Sequence, residues 1–126
     1  MKENIIADKT YNFAVRIVNL YKYLIKTEKE FVLPKQLLRC GTSIGANVSE
    51  AVKAQTTADF YIKLTIALKE ANETQYWIEL LYDTDYLTEQ QYLSIKKDID
   101  EFVAILVAIT KTTKEKLKLK KNKNHS

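Results

Sequence analysis

The sequence predicts an all-α protein: an antiparallel, up-down-up-down four-helix bundle followed by a basic C-terminal tail. Three observations carry this expectation. The chain of 126 residues holds only two glycines, Gly41 and Gly45, and one proline, Pro34. Sheet proteins need far more turn chemistry than that. Four apolar stripes follow one another at helical spacing, and the links between them are short, which favours antiparallel neighbours.

The first stripe predicts a helix over about 8–27. Phe13, Ile17, Tyr21 and Leu24 recur at spacings of four and three, widened by Ala14, Val18 and Ile25. The segment TEKEFVL breaks the pattern. Pro34 then stands well as the first residue of a second helix, because a missing N–H costs nothing there. That helix is expected over 34–54, with Leu37, Gly41, Ile44, Val48 and Ala51 or Val52 inside.

Thr56 or Thr57 suits the N-cap of a third helix, expected over 57–82, and Asp59 suits its first turn. Its stripe (Phe60, Leu64, Ala67, Ala71, Thr74, Ile78, Leu81) alternates four and three, as helices crossing at a shallow angle require. Asp83, Thr84 and Asp85 read as a turn. Thr88 with Gln91 forms a capping-box pattern for a fourth helix over 88–113. Tyr92, Ile95, Ile99, Phe102, Leu106 and Ile109 are its inner residues. After Thr113 the pattern fades, and residues 114–126 are expected to fray or be disordered.

Charge is distributed unevenly. Residues 111–126 hold seven lysines and one acid, Glu115, a local charge of +6. The remaining 13 basic and 15 acidic residues give −2, so the tail makes the chain basic. Such asymmetry suits an arm for polyanions. One cysteine, Cys40, permits no internal disulfide and fits a reducing compartment. No apolar run approaches a membrane span and no signal peptide is visible, so a cytoplasmic location without membrane partners is expected.

Catalytic patterns are weak. Gly41-Thr42-Ser43-Ile44-Gly45 matches G-x-S-x-G, but that elbow needs a preceding strand and a histidine, and the single histidine is His125. The plainer reading is a run of small residues that lets another helix come close. Glu50, Glu70 and Glu73 are possible ligands of a hard cation, but no Glu-x-x-His motif accompanies them. No cofactor or metal is expected, and no enzyme activity. Arg39, Ser43, Asn47 and Glu50 share one face of the second helix and are read as an interface or a polar network. The eight tyrosines are dispersed and suit packing at the rim better than base stacking.

Two blocks carry a family resemblance. They are CGTSIGANVSEA, from Cys40, and ADFYIKLTIALKEANETQYWIELL, from Ala58, with Phe13-Ala-Val-Arg16 fitting the first helix. Over residues 13–109 the chain resembles the four-helix bundle proteins encoded in intervening sequences of bacterial 23S rRNA genes. It is also similar to the accessory variability determinant of diversity-generating retroelements. The resemblance implies a left-handed bundle without established catalytic activity, assembling as a homo-oligomer, a pentamer in those relatives, that binds nucleic acid. The expected function is therefore a non-catalytic bundle that binds structured RNA, or DNA, through phosphate contacts. Lys111, Lys114, Lys116, Lys118, Lys120, Lys121 and Lys123 are the candidate contacts. The alternative is a scaffolding bundle whose partner is another protein.

Overall fold

The computed structural model describes residues 2–29 and 31–125. Four helices occupy nearly all of them: α1 (Lys2–Thr27), α2 (Val32–Val52), α3 (Thr57–Asp83) and α4 (Glu89–His125). No strand occurs among the described residues.

Pairs of touching residues show the helices to be antiparallel at all four seams. Gly45 lies against Thr10 and Gly41 against Ile17, so α2 descends as α1 rises. Arg39 meets Glu70 and Glu73, whereas Glu50 meets Lys63, which reverses α3 against α2. Gln75 reaches Asp100 and Glu79 reaches Tyr92 across α3 and α4. Lys9 with Glu101 and Arg16 with Asp98 close α4 onto α1. The ring of helices is thus α1-α2-α3-α4, each beside its neighbour in sequence.

The core runs along the axis of this ring. Ile6, Phe13, Ile17 and Leu24 of α1 meet Leu37, Ile44 and Val48 of α2. Leu64, Ala67, Ala71, Ile78 and Leu81 of α3 complete it with Ile95, Ile99, Phe102 and Leu106 of α4. Phe13 and Phe102 pack edge to face across the α1–α4 seam, with ring centroids 5.1 Å apart. The stripe expected for α3 is buried from Leu64 to Leu81, with Phe60 half-buried at its head.

Caps and turns follow the sequence closely at the second half of the chain. Thr56 accepts the amide of Asp59 (3.1 Å) at the head of α3. Thr88 and Gln91 form a reciprocal capping box, with bonds of 2.9 and 3.1 Å. Between them Asp85 takes a positive φ of 70°, which an aspartate tolerates better than most residues. In the α1–α2 link Lys29 does the same, at 52°.

Apart from one-residue shifts at the end of α3 and the start of α4, the helix bounds differ from expectation in four places. First, α1 begins at Lys2 rather than near Asp8. Ile6 and Thr10 extend the buried stripe by two turns, and Thr10 hides its hydroxyl by donating it to the Ile6 carbonyl at 2.7 Å. Second, α2 begins at Val32, so Pro34 is third in the helix, still within the first turn where amides lack an i−4 acceptor. Third, α2 stops at Val52, with Lys53 as C-cap. Fourth, α4 continues helical through His125, across the segment expected to fray. Lysine and leucine are good helix formers, and cations near a helix C-terminus complement its dipole. Ser126 lies outside the described residues.

Candidate nucleic-acid interface

At 37 residues, α4 is much the longest helix, rising about 55 Å. Its inner face stays covered beyond the expected stripe: Thr110 and Thr113 are buried and Leu117 is half-buried. Thr110 and Thr113 fit there because each hydroxyl is donated back to a main-chain carbonyl, of Leu106 (2.8 Å) and Ile109 (2.7 Å). From Lys118 to Lys123 every side chain is exposed, so the helix leaves the bundle there.

All seven candidate lysines are exposed on this terminal part: Lys111, Lys114, Lys116, Lys118, Lys120, Lys121 and Lys123. The ion pairs of the bundle use Lys9, Arg16, Arg39, Lys63 and Lys96. Among the described residues, none of the six lysines from Lys111 to Lys121 joins one. No ion pair among the described residues neutralises their charge, and the helix end is a concentrated cationic surface.

The second predicted set forms a polar rim between α2 and α3. Arg39 bridges Glu70 at 3.4 Å and Glu73, and its hydrogen bond to Glu73 raises its pKa further above the ordinary range. Glu50 pairs with Lys63 at 2.7 Å. Asn47 donates its Nδ2 to the Ser43 carbonyl (2.9 Å) and hydroxyl (3.2 Å), inside α2. The four residues share a flank, but the Arg39 ion pairs with Glu70 and Glu73, the Glu50–Lys63 pair and the Asn47–Ser43 bonds within α2 hold them separately, not as a single connected network. With Glu70 and Glu73 facing Arg39, and Glu50 facing Lys63, these carboxylates have cationic partners of their own. Among the described residues no group of His, Cys, Asp or Glu side chains is placed to hold a metal ion.

Gly41, Ser43 and Gly45 lie in mid-helix, not on a strand-to-helix elbow. The two glycines face α1, where a β-carbon at Gly45 would sit 3.0 Å from the Thr10 carbonyl oxygen. Ser43 points to the other flank. On the same helix Cys40 is fully buried, and burial pushes its thiol up to about 11, so it is a packing residue at neutral pH.

Sequence reasoning missed the polar closure of the α1–α4 seam. Arg16 donates to Asp98 (3.0 Å) and to the Ser94 hydroxyl (2.6 Å). Together with Lys9 and Glu101, Arg16 and Asp98 line a groove that also holds Phe13 and Phe102. The signal lay in the Arg16 side of the first helix, but its partners are about eighty positions away. No helix among the described residues is long and apolar enough to cross a membrane.

This geometry defines an antiparallel four-helix bundle with a cationic helical extension. The chain belongs to the 23S rRNA-intervening sequence protein family, whose model matches residues 2–108. A solved structure from Bacteroides thetaiotaomicron, a protein of unknown function from the S23 ribosomal protein family, is 59% identical with a TM-score of 0.85. The match covers 88% of this chain and 99% of that one. No curated protein matches the chain. All seven candidate lysines lie past the stretch that the family model matches.

Proposed function

We propose that the protein is a non-catalytic, homo-oligomeric module of the cytoplasm that binds structured nucleic acid, RNA above all, through lysine contacts to phosphate. The observation that carries this reading is the exposed end of α4, where seven lysines and one acid stand on a helix that extends past the bundle. Lysine–phosphate contacts are independent of sequence and release counterions, so affinity falls steeply with salt. Assembly as a pentamer, implied by the resemblance, would present several such helices together and multiply weak contacts.

The test is binding of a structured RNA fragment across a salt series, by the intact chain and by a variant with all seven lysines changed to glutamine. Tight, salt-sensitive binding that vanishes in the variant supports the reading. Unchanged affinity in the variant removes the tail from it. Light scattering on the intact chain tests assembly, and a monomer would remove the pentamer.

A second reading is a scaffolding bundle whose partner is another protein. Large apolar side chains on the outer faces favour it, among them Tyr11, Ile62, Tyr76 and Leu93, each more than half exposed. Absence of any RNA binding at low salt would make this the better account.

A further inference from the structure

The arrangement of the lysines around α4 distinguishes between shapes of nucleic acid. With 3.6 residues per turn, Lys111, Lys114, Lys118 and Lys121 fall in one row, at spacings of three, four and three. Lys116, Lys120 and Lys123 fall in a second row, roughly 170° around the helix from the first. The side between the rows that continues the core stripe carries Thr110, Thr113 and Leu117, which the bundle covers wholly or in part. The opposite, outer side carries Thr112, Glu115, Leu119 and Asn122, all exposed and none of them cationic. The positive charge therefore projects sideways from both flanks and not from the outer edge.

Two such rows match two backbones. Extended lysine stems place the ammonium rows roughly 15 Å apart. The major groove of a B-form duplex is about 12 Å wide and admits an α-helix. A helix lying along a groove with its outer edge inward can thus reach phosphates on both walls at once. A single strand offers one backbone and can occupy one row at a time. Its usual protein partner is a row of aromatic side chains on which bases stack. No Phe, Tyr or Trp occurs in residues 111–126.

We infer that the end of α4 is a duplex clamp, with its two lysine rows on the phosphates of opposite strands across one groove. This rests on the nucleic-acid reading above and adds the class of ligand, a double helix. Paired phosphate backbones are the chemistry that is bound, and RNA and DNA duplexes share it; their grooves differ in width, so their relative affinity reports which spacing suits the rows.

The experiment uses the full chain and two variants, K111Q/K114Q/K118Q/K121Q and K116Q/K120Q/K123Q. Glutamine nearly matches lysine in helix propensity, and circular dichroism checks that each variant keeps its helix. The probes are an RNA duplex, a DNA duplex of the same length and an oligouridylate of equal total phosphate. The expected result is that the intact chain prefers at least one duplex over the oligouridylate by roughly tenfold or more. Loss of either row should lower duplex affinity and flatten its salt dependence by roughly 0.9 in log–log slope for each phosphate no longer neutralised. Oligouridylate binding should survive loss of either row alone, because the other row remains.

Equal affinity of the intact chain for the oligouridylate and both duplexes would overturn the clamp and leave nucleic-acid binding intact. So would a variant lacking one row that binds duplex as tightly as the intact chain. If none of the three probes binds at low salt, the nucleic-acid reading falls and the clamp falls with it.

Discussion

Gly45 presses against the main chain of Thr10 so closely that a β-carbon on it would stand 3.0 Å from the Thr10 carbonyl oxygen. The obstacle is backbone, which yields only if α1 and α2 move apart. Gly45→Ala should therefore destabilise the protein by about 1–2 kcal/mol, as overpacking outweighs the gain in helix propensity. At Gly41 the nearest atoms belong to the Ile17 side chain, at 3.0 and 3.1 Å, which can shift slightly. Gly41→Ala should stay within about 1 kcal/mol of the parent. Urea unfolding of both variants checks the contrast, and a Gly45→Ala protein more stable than the parent would refute the close approach.

The α1–α4 seam should respond to salt. Arg16 and Asp98 are both more than a third exposed, so their coupling in a double-mutant cycle should be about 0.5 kcal/mol at low ionic strength. At about 1 M salt it should approach zero, where the screening length is about 3 Å. Coupling that persists undiminished would mean that the pair is shielded from solvent.

Cys40 links stability to alkaline pH. Burial, partly offset by a hydrogen bond with Thr74, raises its pKa from 9.0 to about 11. The unfolded chain ionises this thiol first. Stability from the buried neutral thiol is thus complete below pH 9 and is lost as pH rises towards 11. Unfolding curves across this window should show the parent losing stability relative to Cys40→Ala. Parallel pH dependence in the two proteins would show that the folded thiol titrates normally.

The α4 capping box should be measurable by itself. Thr88→Ala leaves the Gln91 amide without its acceptor and should cost about 1 kcal/mol. Gln91→Ala should cost less, since it exposes only the Thr88 amide to water. Thermal melts rank the two, and a larger loss for Gln91→Ala would reverse the assignment.

The stripes of α3 and α4 were legible because buried residues recur at alternating spacings of three and four from Leu64 to Leu81, with Thr74 the one polar member, and from Ile95 to Leu106. The start of α1 was not. Asp8, Lys9 and Thr10 interrupt the apolar pattern, and the burial of Thr10 depends on a hydroxyl turned back to its own helix. The same device hides Thr110 and Thr113, so α4 outlasts its own hydrophobic signal. Charge composition identified the candidate lysines, all of which the structure leaves exposed. Their order as two rows required knowing that the segment is helical. The Arg16–Asp98 pair was illegible for a different reason: helical rotation places residues on a face, but only the packed bundle shows which faces meet.

Because each helix packs beside its neighbour in sequence, three of the four seams can form as local hairpins, each closing only a short link. Loop-closure entropy is small for such steps, and chains built this way fold in microseconds to milliseconds. The exception is the meeting of α1 and α4, which joins Phe13 to Phe102 across nearly ninety intervening positions. That seam is also the one rimmed by exposed ion pairs. Its closure is therefore expected to come late on the folding route, which refolding and unfolding rates of Phe102 variants check. Substitutions at Phe102 that spare the hairpins should accelerate unfolding while leaving the refolding rate nearly unchanged.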